Sequence, residues 1–454
     1  MAGDAPGRVL PTLNEDGTRL WVRPRRSPGR YWTLRAVIGW ALILLFVIVP
    51  FIDMGGHPII LLDVPARQFH LFGRTFLATD GVLLMLLLLA IFVGVFWLTA
   101  MLGRVWCGYA CPQTVYMEFL FRPIEQWIEG GRSGQLKLDK HGGGFRRVLK
   151  WVVFALLSVL VANVFLAYFV GVRRLGTWVM EGPMAHPTGF LVMAVTAVLV
   201  FVDFGYFREQ MCTVACPYAR FQSVLLDKDS LIVGYDEKRG EPRGKKGQTT
   251  GDCVDCGACV ITCPTGIDIR NGLQMECIAC AQCVDACDTV MDKVGRPRGL
   301  IRYASQRTLE GRAKGRLRPR AFAYPAVMAL LVGLLVFTGG RTTEADVTIL
   351  RGLSAPYVVD SSGVRNQIRI KIENRGSEDR SYDVKLLGAE GAKLIAPENP
   401  LVIPGGKRRE TTIFVVAPEG LFVGGKRDVD FKISDGKGFE RTLPYKLLGP
   451  GGEK

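Results

Sequence analysis

The chain has 454 residues, of which 49% are apolar, and a formal net charge of +15 at pH 7. Its apolar residues form long runs, which is not the pattern of a soluble protein. The basic residues gather in the segments between those runs, which argues against nucleic-acid binding and favours contact with membrane lipid.

Five apolar runs predict transmembrane helices, because each is close to the ~20 residues that cross the ~30 Å hydrocarbon core of a bilayer. The predicted spans are residues 36–52, 82–102, 151–171, 189–207 and 321–338. The first run is interpreted as a retained helix. A cleavable apolar region is typically shorter, and no small-residue cleavage site follows Pro50.

The distribution of Lys and Arg predicts the orientation of the spans. These residues number seven before the first span, then two, eight, two and 19 in the four successive connections. Cytoplasmic loops carry such an excess, so the amino terminus is predicted inside and the carboxyl terminus outside. Residues 293–320 hold ten basic residues and one acid, Glu310, and are interpreted as a juxtamembrane patch on anionic lipid.

All twelve cysteines lie between residues 107 and 287, and none falls in the segments predicted outside. Disulfides in an oxidising compartment would need the opposite placement, so reduced thiols available for metal are predicted. Eight of them form two copies of the pattern Cys-x2-Cys-x2-Cys-x3-Cys. This is the spacing of two-cluster bacterial ferredoxins, in which the fourth cysteine of each motif binds the other cluster.

The spacing therefore predicts two [4Fe-4S] clusters with crosswise ligands. The first set is Cys253, Cys256, Cys259 and Cys287, and the second is Cys277, Cys280, Cys283 and Cys263. Paired zinc knuckles are the alternative, but the duplicated run of three evenly spaced cysteines is poorly explained by zinc. One departure from the ferredoxin pattern is Asp288, where a proline often follows the last cysteine. It is expected to alter the local turn and the cluster potential, and not the ligand count.

The other four cysteines form a second repeat, Cys-x-x-Ala-Cys-Pro. Cys107 and Cys111 follow the second span, and Cys212 and Cys216 follow the fourth, each pair beginning five residues after the apolar run ends. Residues i and i+4 share one face of a helix, and the following proline favours a helix end there. Two two-helix units related by a pseudo-twofold axis would bring the dithiols together. Soft thiolates select Cu(I), zinc or iron-sulfur clusters, and burial as small hydrophobes is the alternative.

Several other side chains are candidate site residues. Asp203 lies within the fourth run, where an acid is either functional or solvated near the interface. Met101, Met117 and Met211 could contact copper but are more typical of packing. Because His57, His70, His141 and His186 all fall in loops, no transmembrane haem is expected. No glycine-rich phosphate motif supports nucleotide or flavin binding.

After the fifth span the sequence alternates apolar and polar residues in short segments separated by turn residues, as in 367–373, 411–416 and 429–433. This predicts an immunoglobulin-like β-sandwich of about 110 residues. The fold class is thus a multi-domain membrane protein with an α-helical transmembrane bundle, an inserted α+β ferredoxin domain and a C-terminal sandwich. The predicted division is 1–35, a cytoplasmic segment; 36–232, four membrane helices; 233–320, the ferredoxin domain and basic segment; 321–338, the fifth helix; and 339–454, the periplasmic domain.

The paired Cys-x3-Cys-Pro motifs, the doubled ferredoxin motif, the stretch 299–303 and the sandwich tail closely resemble the FixG/CcoG family over nearly the whole chain. This resemblance implies an inner-membrane accessory protein for assembly of copper-containing cytochrome c oxidases, linked to reduction of Cu(II) to Cu(I). It also implies partners among copper transport or oxidase assembly proteins and a cytoplasmic electron donor.

The resulting hypothesis is electron flow through the two clusters to Cys107, Cys111, Cys212 and Cys216, where Cu(II) is reduced and held as Cu(I). Two rivals stay open. One is a quinol dehydrogenase like the membrane ferredoxins of nitrate and nitrous oxide respiration, and the other is a non-catalytic scaffold that docks the nascent oxidase.

Overall fold

The protein is described by a computed structural model that covers residues 8–14, 16–54, 57–66, 68–77, 81–142, 144–244, 251–312, 319–340, 345–353, 355–376 and 378–451. Residues 313–318 of the predicted lipid-binding basic segment lie outside this range. All statements below concern the described residues.

The helices in chain order are α1 (Arg30–Ile48), α2 (Gly81–Leu102), α3 (Val105–Tyr109), α4 (Pro112–Tyr116), α5 (Arg122–Glu129), α6 (Gly131–His141), α7 (Gly144–Val170), α8 (Val172–Glu181), α9 (Pro187–Val202), α10 (Pro217–Leu225), α11 (Glu237–Gly240), α12 (Ala258–Ile261), α13 (Gln282–Val294), α14 (Gln306–Leu309) and α15 (Pro319–Gly340). Three π-helical turns occur at Met117–Phe121, Asp203–Phe207 and Met211–Ala215.

The strands are β1 (Arg8–Leu10), β2 (Leu13–Asn14), β3 (Asp53–Met54), β4 (His57–Pro58), β5 (Ile60–Asp63), β6 (Gln68–Leu71), β7 (Arg74–Leu77), β8 (Leu231–Tyr235), β9 (Ile301–Ser305), β10 (Ala345–Arg351), β11 (Val358–Asp360), β12 (Gly363–Asn374), β13 (Arg380–Leu387), β14 (Lys393–Ile395), β15 (Leu401–Ile403), β16 (Arg408–Ala417), β17 (Lys426–Ser434) and β18 (Glu440–Leu448).

Five helices are long and apolar enough to cross a membrane, as predicted. They are Arg30–Phe51, Gly81–Leu102, Gly144–Val170, Pro187–Phe207 and Phe322–Gly340. The first of these helices begins six residues before the start that the apolar run predicted. That run starts only after Arg35, a charged residue that this helix contains and buries completely. A span predicted from hydropathy alone ends at such a charge.

The chain divides into two compact units, residues 1–50 with 84–335, and residues 51–83 with 336–454. The first, here called the redox unit, contains all twelve cysteines. Its ferredoxin domain is built on the antiparallel pair β8–β9 and on α13. Apolar side chains of these elements, including Val233, Met291 and Leu300, pack with the cysteine loops into one core.

The second unit, here called the sandwich unit, is a β-sandwich with two small added sheets, β3–β4 and β5–β6–β7. Antiparallel sheets of order β10-β12-β16-β14 and β15-β13-β17-β18 bury alternate residues, such as Ile368 and Ile370 in one sheet and Phe431 and Ile433 in the other. The period-two pattern therefore predicted this domain correctly. Residues between the first two spans form the sheet β5–β6–β7, from which Gln68 donates a hydrogen bond to the Gly406 carbonyl at 3.2 Å.

Candidate iron-sulfur and membrane thiol sites

The two ferredoxin motifs wind in the same unusual way. Asp255 and Ala279 occupy equivalent positions and have φ values of +48° and +52°, and Gly257 and Ala281 follow at +65° and +57°. Left-handed backbone is uncommon for residues other than glycine, and it persists only where the surroundings require it. Each loop thus turns sharply around its three closely spaced cysteines, which is the shape that wraps a cluster.

The thiols separate into two groups. A cavity in the ferredoxin domain is lined by Cys263 together with Cys277, Cys280 and Cys283, and also by Cys259 of the first motif. Burial keeps the pKa of the Cys283 thiol well above its usual value, and Cys280, Cys277, Cys263 and Cys259 raise it further. The structure therefore brings Cys263 to the second motif, as crosswise ligation requires.

Cys287 lies with the first motif. Burial raises the pKa of its thiol to about 12, and Cys259, Cys256 and Cys253 are among the neighbouring groups that raise it. Cys253, Cys259 and Cys287 are buried, whereas Cys256 is exposed. All twelve cysteines of the chain are free thiols. The eight in this domain form two soft four-sulfur sets, a donor set that fits two [4Fe-4S] clusters.

The membrane cysteines adopt a repeated structure that differs from the predicted one. Cys107 lies in α3, but Cys111 is the extended N-cap residue of α4, with φ −62° and ψ 126°. Cys216 is likewise the N-cap of α10, with φ −71° and ψ 113°, and Cys212 lies in the preceding π-helical turn. The expectation that each pair shares one helix face was wrong. Proline favours the first helical position and an extended residue before it, so each Cys-Pro begins a new helix.

The four membrane thiols nevertheless lie near one another. Burial is the main reason that the pKa of Cys212 is raised, and the charges of Cys111, Cys107 and Cys216 raise it further. The pKa of Cys107 is raised to about 11 by burial, despite an opposing hydrogen bond with Gln222. The Gln222 amide lies 3.2 Å from the Cys107 sulfur. Burial therefore favours the protonated form of the Cys107 and Cys212 thiols.

The other candidate residues, Asp203 and Met117 among them, have different surroundings. Asp203 accepts a hydrogen bond from the Gln113 side chain at 3.0 Å, so it is tied to the residue that follows Cys111-Pro112. Met117 is buried in an aromatic cluster with Phe121 and Phe154, which is a packing role. Among the described residues, no three His, Cys, Asp or Glu side chains converge closely enough to hold a single metal ion. That holds equally for the ferredoxin cysteines, whose ligand sets would surround a four-iron cube.

The histidines lie outside the five membrane-spanning helices, although not all in loops. His57 and His70 lie on strands β4 and β6, where their rings stack at 4.0 Å between centroids. His141 ends α6, and His186 is the N-cap of α9. The expectation of loops was therefore wrong for His57, His70 and His141, because short strands and loop helices fill the connections.

Gly108 joins the membrane quartet to the second ferredoxin motif. A Cβ atom at this position would lie 2.7 Å from the Ile278 carbonyl oxygen and 3.0 Å from the Cys280 Cα. The backbone next to Cys107 therefore runs directly against the loop that carries Cys280. Sequence analysis missed this residue, and the glycine inside the Cys-x3-Cys motif was the only available signal.

Arginines of the membrane loops fasten the ferredoxin domain beside this contact. Arg104 donates to the carbonyls of Met275 and Cys277, the latter at 3.2 Å. Arg122 donates to the Pro264 carbonyl at 3.1 Å. The Cys277 carbonyl belongs to a predicted ligand, and Pro264 follows the predicted ligand Cys263. These hydrogen bonds therefore hold the cysteine loops themselves.

The ferredoxin domain in turn caps the first membrane helix. The Asp285 carboxylate accepts hydrogen bonds from the backbone N–H groups of Tyr31, at 3.3 Å, and Trp32, at 2.8 Å. These N–H groups have no partner within the helix, and a side-chain acceptor normally comes from the preceding residue. Here that residue is Gly29, which offers no side chain and leaves the space that Asp285 fills.

The redox unit also contains a buried cluster of charged side chains. Arg208 binds the two carboxylate oxygens of Glu125 at 2.7 and 2.9 Å, and Arg23 donates to the same carboxylate at 2.8 Å. Burial by itself raises the pKa of Glu125, but these guanidinium groups and Lys150 hold it far below its usual value. The cluster ties the N-terminal segment to the loops that follow the second and fourth spans.

Comparison with known proteins agrees with this architecture. Residues 207–306 match a family model described as a 4Fe-4S dicluster domain, and residues 84–132 match one described as a 4Fe-4S binding domain. Residues 335–450 match the IG-like fold at the C-terminal of FixG. Protein RdxA of Cereibacter sphaeroides is 34% identical, with 92% of this chain and 94% of RdxA covered.

The chain belongs to the FixG family. The nitrogen fixation protein FixG of Rhizobium meliloti is 31% identical, with 96% of this chain and 93% of that protein covered. A crystal structure of a FixG-related protein from Vibrio parahaemolyticus covers 24% of this chain and 98% of that one, at 13% identity and a TM-score of 0.22. The predicted family, fold class and membrane-bound iron-sulfur electron transport are confirmed.

Proposed function

We propose that this FixG-family protein reduces Cu(II) to Cu(I) for assembly of a cytochrome c oxidase, at a site formed by Cys107, Cys111, Cys212 and Cys216. The contact between Gly108 and the Cys280 loop carries the proposal, because it links the second ferredoxin motif to the membrane quartet through adjoining backbone. Electrons that reach the second motif thus have a short covalent and van der Waals route to Cys107.

The chemistry of the quartet suits copper reduction. Each [4Fe-4S] cluster, when bound, supplies a one-electron carrier. One electron converts one Cu(II) ion to one Cu(I) ion, and thiolates prefer the softer product. The buried thiols release protons as copper binds, and the Gln222 amide orients the Cys107 sulfur. Product binding therefore adds to the driving force of the reduction.

The proposed location is the bacterial inner membrane, with the ferredoxin domain in the cytoplasm and the sandwich in the periplasm. Support for one common side comes from contacts among the N-terminal segment, the loop after span two and the loop after span four. These segments carry the excess of Lys and Arg that marks cytoplasmic loops. The proposed partners are a cytoplasmic electron donor, copper transport or oxidase assembly proteins, and membrane lipid.

The test uses the full-length protein, purified without oxygen, with its clusters reduced and excess reductant removed. Cu(II) is added, and Cu(I) is followed with a Cu(I)-specific chromophore. Replacing all four membrane cysteines by serine is expected to abolish rapid Cu(I) formation. Thr213→Ser, within the same π-helical turn as Cys212, is the matched control and is expected to retain it. Equal Cu(I) production by the four-serine variant would sink the proposal.

A second candidate rests on the match of residues 84–132 to a 4Fe-4S binding domain, which includes Cys107 and Cys111. In this alternative the quartet holds a further cluster and exchanges electrons with the quinone pool. Iron analysis separates the two candidates. Copper reduction at the quartet predicts about eight iron ions per chain, with no loss in the four-serine variant, whereas a further cluster predicts that this variant loses iron.

A further inference from the structure

Arg35 is a fully buried arginine in the first membrane helix. Its side chain has 0% relative exposure, and it shares a helix face with the buried residues Gly39 and Ile43. The Nε–H group donates a hydrogen bond to the Gly108 carbonyl at 2.8 Å. Arg35 therefore touches the same short segment that joins Cys107 to the second ferredoxin motif.

Both terminal nitrogens of Arg35 are buried and lack a hydrogen-bond acceptor in the described part of the protein. The guanidinium lies 5.7 Å from the centroid of the Phe119 ring, which offers no such acceptor. The nearby acid Glu118 is already bound by Arg122 and by the Gln282 side chain. Burying a charge without acceptors costs several kcal/mol, so a native protein normally provides them.

Cys280 marks the direction in which the missing acceptors lie. Gly108, which accepts from Arg35, lies against the Cys280 backbone. The unpartnered N–H groups are thus close to the thiol that is assigned to the second cluster.

We propose that Arg35 donates hydrogen bonds from its terminal nitrogens to sulfur atoms of the second cluster and makes that cluster easier to reduce than the first. Hydrogen bonds to cluster sulfurs and nearby net charge both set reduction potential. A reduced cluster is more negative than an oxidised one, so an adjacent guanidinium favours the reduced form. Glu118 offsets part of this charge, but its hydrogen bonds go to Arg122 and Gln282 and leave the Arg35 N–H groups unbonded.

The first cluster has a different charge environment. Arg270 is the cation beside its ligand Cys259, and Asp268 binds this arginine bidentately, with the closest contact at 2.7 Å, while Asp255 binds it too. Asp288 lies beside Cys287. Carboxylates therefore compensate the positive charge at the first site. One electron leaving the first cluster reduces the second, and the transfer needs no proton.

The experiment is a redox titration of the full-length protein followed by EPR. In Arg35→Gln, one of the two cluster midpoint potentials is expected to fall while the other stays unchanged, with the wild-type iron content. Arg35→Lys, which keeps the charge but not the planar fork, is expected to give a smaller fall. The matched control is Arg23→Gln, another buried arginine, whose partners are Glu125 and Asp139. Unchanged potentials in an iron-replete Arg35→Gln protein would overturn the proposal.

A second measurement applies even where Arg35→Gln loses iron. Wild-type protein containing ¹⁵N-labelled arginine is reduced and examined by pulsed EPR, which detects nitrogen nuclei hydrogen-bonded to a paramagnetic cluster. A ¹⁵N coupling that disappears in Arg35→Lys is expected. Its absence from wild type, or its persistence in the variant, would contradict the proposal. The inference rests on the two-cluster assignment and uses no copper, so its failure is separate from failure of the proposed reductase.

Discussion

The two ferredoxin motifs have the same cysteine spacing and the same left-handed turns, but they lie in different surroundings. The first motif presents Cys256 to solvent. The second is covered by membrane loops, with Gly108 against Cys280 and Arg104 on the Cys277 carbonyl. Repeated ligand geometry therefore fits a cluster at each motif, while the neighbouring elements make the two sites different. Under the proposed function, the exposed motif would receive electrons and the covered one would pass them to the membrane thiols.

The largest effect on this contrast is expected from Gly108→Ala. The added methyl group would lie 2.7 Å from the Ile278 carbonyl oxygen, so the Cys280 loop has to move away from Cys107. We expect a fall of about tenfold or more in the rate at which Cu(II) oxidises the reduced clusters, since small displacements at a reacting contact cost that much. Stopped-flow absorbance measures the rate.

Gly176→Ala is the matched control, because a Cβ atom at Gly176 in α8 meets nothing within 4 Å. The control should oxidise at the wild-type rate, and both proteins should contain wild-type iron. A wild-type rate for Gly108→Ala would show that electrons leave the second motif by another route.

A smaller effect is expected from Asp285→Ala, which removes the cap of α1 but no cluster ligand. Loss of a capping side chain costs about 1 kcal/mol, so the N–H groups of Tyr31 and Trp32 should exchange hydrogen faster. Hydrogen-deuterium exchange of the full-length protein measures this.

Asp292→Ala, on the same helix α13, serves as the control for the cap. Asp292 pairs with Arg298 at the surface, away from α1, so this variant should leave exchange at the start of α1 unchanged. Equal exchange in the Asp285 and Asp292 variants would mean that the ferredoxin domain does not stabilise the first membrane helix.

The smallest effect concerns the sandwich unit, which has no cysteine and a core of apolar side chains. Burial first, and then His57, lowers the pKa of His70 to about 4. An unfolded histidine titrates near 6.5, so this group contributes stability that is present above pH ~6.5 and is lost as pH falls towards 4. The protection of β5–β7 against hydrogen exchange, corrected for the pH dependence of intrinsic amide exchange, should therefore fall between pH 7 and pH 5.

His70→Gln should remove most of that pH dependence, while His141→Gln, which changes an exposed histidine, should leave it intact. The redox unit should show no matching change in either variant. A pH dependence that is identical in wild type and His70→Gln would rule out this histidine as its source.

Much of the architecture could be predicted from sequence because it depends on local patterns. Apolar runs predicted the spans, period-two alternation predicted the sandwich, and cysteine spacing predicted two ferredoxin motifs. The contacts that organise the site could not be predicted. Arg35 was placed outside the first span because its charge interrupts the apolar run, and its burial depends on Gly108, which is 73 residues away.

The membrane cysteines show the same limit at shorter range. Helical spacing suggested that Cys107 and Cys111 share a face, but the proline that was expected to end a helix instead begins the next one at Pro112. Both behaviours follow from the same restraint on proline. The sequence could therefore locate the helix break, but it could not show whether the cysteine ends one helix or caps the next.

The cap on α1 also has a consequence for the order of assembly. Asp285, which accepts from the Trp32 amide 253 residues earlier, lies between Cys283 and Cys287, one ligand from each predicted cluster. The first helix made by the ribosome therefore cannot complete its amino-terminal end until four spans and both cysteine motifs have been synthesised. Completion of the oldest helix is therefore a late event in the synthesis of the chain.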